Sequence, residues 1–379
     1  MSNPPSRWIP VAAPVIGETE IAYVTDAVRS GWVSSIGPYL DRFERGFADF
    51  CGVRHAVAVA NGTVALQLAL RALGVGPGCE VIVPDLTFAA TAHAVLDVGA
   101  SPVLADVDPV TWCLDPVAVE RALTVKTRAV IPVHLYGHPA DMAGLARVTA
   151  GTDILLLEDA AEAHGAKIGD QRVGSFGVAG AFSFYGNKLM TTGEGGALTT
   201  NDDTLAARFR FLKDHGMSKE RRYYHTELAF NYRMTNLQAA LGCAQLEQLE
   251  TFIEKKRALM GWYREALDGV PAVTLNAERA GNMSVFWMVS ALLGPDASES
   301  RDAVCARLRE RGVDTRPFFV PMSQLPHLRG FRQVGRDGDG CPTARRLSVQ
   351  GLNLPSGTGL TRDDVSYVAH AFREVLSTS

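Results

Sequence analysis

The 379-residue chain has no long run of Lys or Arg, no closely paired cysteines, and no apolar stretch near the roughly 18 residues that span a bilayer. With 37 basic against 41 acidic side chains the net charge is only −4, so nothing tracks a phosphate backbone and nucleic acid is not an expected partner. The cysteines, Cys51, Cys79, Cys113, Cys243, Cys305 and Cys341, form no CxxC pair. That argues against a metal knuckle or a disulfide framework, and for reduced, mostly structural thiols. The opening MSNPPSRWIP lacks a basic region followed by an apolar one, which points to a cytoplasmic protein with no membrane association. A strand-linked GxGxxG with a downstream acid is also missing, which argues against a dinucleotide-binding oxidoreductase. Neither an internal repeat nor a low-complexity tract is present.

What is there is the balance of a compact enzyme, 47% hydrophobic and 21% charged. Between residues 55 and 200 short apolar runs alternate with helical patterns: HAVAVA, TVALQLALRAL, EVIVP, FAATAHAVLDVG, SPVLADV, RAVIPVHLYG and DILLLEDAAEA. The alternation predicts an α/β fold with a mostly parallel sheet covered by helices on both faces. Polar or glycine-bearing clusters close these strands at Asn61-Gly62-Thr63, at Pro84 to Phe88 and at Glu158-Asp159, and ligands of open α/β sheets bind at such strand ends. A helical pattern from 235 to about 268, with Leu237, Leu241, Leu246, Leu249 and Ile253 on one face, predicts a long helix bridging two lobes. Beyond it the pattern predicts a strand over 285–292, helices over 301–311 and 361–376, and a loop at 335–340. The expected division is a large α/β domain over 1–250 and a smaller C-terminal α+β domain over 251–379.

Chemistry concentrates between Ala181 and Asp202. A β-rich run leads into Gly186-Asn187-Lys188, and Gly193, Gly195 and Gly196 turn the chain into another strand, which holds Lys188 on a tight turn. A lysine beside a cofactor aldehyde can form an imine, and partial burial frees its amine as a base. Taken alone, any lysine is far more often a solvated surface group. Asp159 changes that balance: it ends the apolar run 154–157, and a carboxylate leaving an apolar wall needs a partner such as a pyridinium nitrogen. Its competing role is to cap a helix over 160–163. Asn61-Gly62-Thr63 fits a phosphate site at a helix N-terminus, or a simple cap. Ser183 could donate a hydroxyl to the same phosphate or be an ordinary sheet residue; Phe88 could lie on the cofactor ring or be core.

Read together, NGTVAL, PDLTFAAT, PVHLYGH, EDAAEAHGA, SFYGNKLMTTGEGGA and NYRMTNLQAA resemble the DegT-type sugar aminotransferase family of the fold type I pyridoxal 5'-phosphate (PLP) enzymes, in order, from about residue 10 onward. The resemblance implies PLP as cofactor. It further implies Lys188 as the Schiff-base lysine, Asp159 under the pyridinium, Phe88 on the ring, and Gly62, Thr63 and Ser183 on the phosphate. Asn231 would reach a neighbouring chain's phosphate, so a homodimer or dimer of dimers with shared sites is implied. GWVSSIGPYLDRFERGFADFCGVRHAV, FYGNKLMTTGEGG, FNYRMTNLQAA, FWM and GLNLP resemble more narrowly a branch that aminates C4 of GDP-4-keto-6-deoxymannose with L-glutamate as donor. Trp32, Ser34 and Ser35 would then face the nucleotide-sugar substrate, or form only a helix-to-loop turn. Two positions depart from the common pattern. Glu162 stands where many members carry Gln and is kept as a cofactor contact, and Val320 stands where many carry His, at the expected substrate border. Open alternatives are another nucleotide keto sugar linked to dTDP or UDP, aminated at C3 or C4, in polysaccharide or antibiotic biosynthesis. A PLP-fold sugar dehydratase, whose relatives replace the lysine with His, and a non-catalytic PLP-binding regulator are the others.

Overall fold

The computed structural model describes residues 7–377 apart from 271, 295, 296 and 298; the part of the N-terminal reading that rests on residues 1–6 lies outside them. Eight strands form one sheet in the order His55–Val59, Gly196–Thr200, Ala179–Ser183, Leu155–Asp159, Thr127–Val130, Glu80–Pro84, Ser101–Ala105, Gln333–Val334. Every neighbouring pair from 179–183 outward to 333–334 is parallel, and strand 196–200 runs antiparallel to both of its neighbours. The sheet is therefore mostly parallel, as the alternating pattern predicts. Strands 179–183 and 196–200 are buried at every position, because helices cover both faces.

The parallel strands deliver their carboxyl ends to one side. Helix Gly62–Ala72 follows strand 55–59, capped by the Asn61 side chain, which accepts from the Val64 N–H. Strand 179–183 cannot run on, because the chain must reverse into 196–200. The intervening segment closes on itself through Phe184 N to Gly195 O, Thr192 N to Phe184 O and Lys188 N to Tyr185 O, all 2.8–2.9 Å. That closure is the rigid turn expected around Lys188.

A second, four-stranded antiparallel sheet orders Val273–Leu275, Val289–Leu293, Gly351–Leu354, Arg316–Pro317. Helices Leu249–Ala266, Arg301–Glu310 and Arg362–Ser377 pack on it around Leu259, Met260, Tyr263, Leu308 and Phe372. No helix among the described residues is long and apolar enough to cross a membrane.

Three local expectations are corrected. The single helix over 235–268 is two, Asn236–Glu247 and Leu249–Ala266, with Gln248 at φ −106°, ψ 0° between them. The break sits where buried Glu20 accepts from the side-chain amides of both Gln245 and Gln248, each at 2.7 Å. In the first of the two helices the buried face is Ala239, Ala240, Gly242, Cys243 and Ala244, and Leu237, Leu241 and Leu246 are only half-buried. The strand predicted over 285–292 begins at Val289. Before it Phe286 takes φ +44°, and Val285 N and Ser284 Oγ both donate to Gly137 O at 3.0 Å, which bends this stretch over the large sheet. Finally, residues 160–163 form a turn and no helix.

Candidate active site

The carboxyl ends of the large-sheet strands and three segments of the C-terminal part enclose a cavity of about 620 Å³. Of the residues singled out in the sequence, Gly62, Thr63, Phe88, Asp159, Glu162, Ser183 and Lys188 all line it. Asp159 ends its strand 5% exposed; its Oδ2 accepts from Thr91 Oγ1 at 2.8 Å and its Oδ1 from the Ala161 N–H at 3.2 Å. The preceding Glu158 faces the opposite way, as strand alternation requires. Fully buried, it accepts from the N–H groups of Gly174, Phe176 and Gly177 at 2.7 Å and from His134 Nε2 at 3.0 Å. His134 Nδ1 accepts the Ala140 N–H, so the ring proton belongs on Nε2. Glu158 thus anchors the strand whose last residue enters the cavity.

The Lys188 amine lies 3.6 Å from Glu162 Oε1 and 4.1 Å from the centre of the Trp287 ring. Glu162 Oε2 accepts the Tyr136 N–H at 2.9 Å, so the carboxylate that replaces the usual Gln is aimed at a backbone donor and at the lysine. Burial pushes the Lys188 ammonium below its ordinary value, opposed by Glu162 and Asp159. Burial likewise pushes the carboxyls of Asp159 and Glu162 upward, opposed chiefly by Thr91 and Ala161 in one case and by Lys188 and Tyr136 in the other. Burial thus disfavours the charged form of all three groups, and their polar neighbours favour it.

Helix 62–72 points its N-terminus at this cavity. Asn61 takes up the Val64 and Ala65 N–H groups, and those of Gly62 and Thr63 have no acceptor among the described residues. Gly62 packs so closely that a Cβ there would stand 2.7 Å from Ser183 Cβ. Unused N–H donors, the Ser183 hydroxyl and a backbone without side chain make a phosphate cradle. Opposite it, a lysine and a buried carboxylate face one space, so these residues fit PLP. The remaining wall was not assigned a role from sequence: Tyr136, Trp287, Arg316, Phe319 and Asn353. Tyr136 is buried at φ +51° with its hydroxyl unpartnered. Thr91 and Trp287 lie in the quoted blocks PDLTFAAT and FWM, so the signal was present there without a contact to interpret it.

Other candidates lie outside the cavity. Trp32 and Ser35 border a separate surface depression with Arg233 and Met234, and the Ser34 carbonyl accepts the Asn236 N–H at 2.6 Å. Val320 points outward, whereas its neighbour Phe319 faces in. Asn231 is exposed, its Oδ1 accepting from Arg233 Nε at 2.9 Å.

A mostly parallel sheet whose strand ends hold a phosphate cradle, a buried carboxylate and a partly buried lysine defines a PLP enzyme of fold type I. The chain belongs to the DegT/DnrJ/EryC1/StrS aminotransferase family, whose pattern matches residues 14–373. It is 44% identical to GDP-perosamine synthase of Caulobacter vibrioides over 97% of this chain and 98% of that one. It is 39% identical to the dTDP-3-amino-3,4,6-trideoxy-alpha-D-glucose transaminase of Streptomyces venezuelae over 89% and 87%. The crystal structure of S. venezuelae DesV in complex with a ketimine intermediate superposes with a TM-score of 0.87 at 37% identity, covering 95% of each chain. The protein is a PLP-dependent sugar aminotransferase.

Proposed function

We propose that the enzyme moves the amino group of L-glutamate to C4 of GDP-4-keto-6-deoxymannose, forming GDP-perosamine by a ping-pong sequence. The observation that carries this reading is the pairing of the Lys188 and Asp159 cavity with 44% identity to a GDP-perosamine synthase along nearly the whole chain. Similarity to the dTDP-sugar transaminase at 39% supports a second reading, in which the nucleotide is dTDP and amination falls at C3.

Bound PLP supplies an electron sink for bond changes at the amino-bearing carbon. The chain supplies the rest. Gly62 and Thr63 offer N–H groups and Ser183 a hydroxyl to the phosphate. Asp159, held by Thr91 and Ala161, would keep the ring nitrogen protonated, and Phe88 would lie against the ring. Glu162 would stand beside the cofactor's phenolic oxygen. The Lys188 amine, whose charged form burial disfavours, takes a proton from the donor's α-carbon and later returns one to the sugar carbon. Glu162 and the Trp287 ring hold that amine in place between the two transfers.

The site is completed by a second copy of the chain, through Asn231. Around the separate depression bordered by Trp32 and along the segment leading to Asn231, the large apolar side chains of Trp32, Val33, Ile36, Tyr223, Tyr224 and Leu228 stand exposed, an area that a homodimer covers. Trp32, Ser34, Ser35 and Val320 then border the sugar nucleotide from that seam. The deciding experiment incubates the enzyme with glutamate and a panel of GDP-, dTDP- and UDP-linked 4-keto and 3-keto sugars. Product mass and NMR give the amination position. The proposal expects GDP-perosamine as the preferred product, and exclusive use of a dTDP or UDP sugar would replace it with the second reading.

A further inference from the structure

Lys256, on helix 249–266, is 3% exposed and has no carboxylate partner among the described residues. Its Nζ donates to the Trp287 carbonyl at 2.6 Å and to the Ser356 carbonyl. An ammonium buried without a counter-ion is costly, and burial alone pushes this one down to about 7. A methionine would fill the same space without that cost. What the amine adds is a grip on two backbone groups that flank different strands.

Trp287 lies at the edge of the cavity. Trp287 precedes strand 289–293 and Ser356 follows strand 351–354, and the two strands pair with Val289 opposite Leu354. The Ser356 hydroxyl also accepts the Val289 N–H at 2.8 Å. The Trp287 indole Nε1 donates to the carbonyl of Asn187 at 2.8 Å, one residue before Lys188, and the ring centre lies 4.1 Å from the Lys188 amine. Asn187, Lys188 and Lys256 line one small void of about 10 Å³.

We infer that Lys256 is a positioning residue for the transamination: by holding the Trp287 and Ser356 carbonyls it fixes the Trp287 indole against the Lys188 amine. The inference rests on the reading of Lys188 as the cofactor-linked lysine. An indole face attracts an ammonium, so the ring favours the charged form of Lys188 and works against its burial. Glu162, Asp159 and Arg316 also act on Lys188, and none of them bonds to Lys256. Its influence therefore passes through Trp287.

The test reads Lys188 in cofactor-free protein, through the pH dependence of its acetylation followed by mass spectrometry. Lys256→Met is expected to lower the apparent pKa of Lys188 by roughly half a unit to one unit. Trp287→Leu should lower it by a similar amount, and the double variant no further. An unchanged Lys188 titration in Lys256→Met overturns the inference, as does an equal further shift in the Trp287→Leu background. If Lys256→Met does not fold, Lys256→Gln, which keeps a donor for one carbonyl, should show a smaller shift of the same sign and the same dependence on Trp287. In parallel, Lys188→Ala must lose the visible absorption band of lysine-linked cofactor. Retention of that band overturns the reading of Lys188 itself, independently of the two-background comparison.

Discussion

Asp159 holds a carboxylate in an almost water-free place because Thr91 and the Ala161 N–H donate to it. Thr91→Val removes one of these and leaves the oxygen buried. A hydrogen bond to a charged group is worth about 1.5–3 kcal/mol, so PLP affinity, followed by equilibrium dialysis, should weaken on the order of 10- to 100-fold. Asp159→Asn keeps the shape and removes the charge that protonates the ring nitrogen. Its turnover should fall on the order of 10²- to 10³-fold while glutamate-independent cofactor uptake persists. His164, two residues beyond Glu162, sits between Phe182 and Phe184 with both ring nitrogens unpartnered, and burial drops it from 6.5 to about 3. Between those values the unfolded chain binds a proton that the folded one refuses, so stability is lost as pH falls through that window. At pH 5 the loss from this group is about 2 kcal/mol. Urea unfolding of His164→Phe should show a flatter decline between pH 6.5 and 4 than the parent does.

The paired helices 236–247 and 249–266 show how an element can be legible in type and wrong in extent. Their apolar spacing continues through Gln248, and the break comes from Glu20, some 230 residues away in sequence, drawing two glutamine amides toward itself. No local pattern carries that. The strand ends at 61–63, 84–88 and 159, and the lysine turn, were readable because turn chemistry and apolar runs are local. The wall made by Tyr136, Trp287 and Arg316 was not, since it depends on positive φ angles at Tyr136 and Phe286 and on a second sheet folding back. Close packing has its own consequence in helix 236–247. A Cβ on Gly242 would stand 2.7 Å from the Phe43 ring and 2.9 Å from Thr192 Cγ2. Gly242→Ala should therefore cost about 1–3 kcal/mol, visible as a lower melting temperature.

At the scale of the whole molecule, the proposed completion of each site by Asn231 of a second copy makes a distinctive demand. Lys188→Ala and Asn231→Ala homodimers should each be nearly inactive. Mixed, dissociated and reassociated, they should recover up to about a quarter of parental activity, because half the pairs are heterodimers and each holds one intact site. Recovery no better than either parent would place Asn231 in the site of its own chain or outside any site.

Strand 333–334 joins the far edge of the large sheet beside 101–105, and Asp85 accepts from the Ser323 N–H at 2.6 Å and its hydroxyl at 2.8 Å. Ile9 in turn bridges to Val313. The C-terminal third is thus sewn to the sheet along two seams, one of them two residues ahead of Thr87 at the cavity wall, and to the N-terminal segment along a third. Admission of a bulky sugar nucleotide cannot be a door swinging on a single pivot. It has to come from the rim, where the Val320 side chain already faces outward.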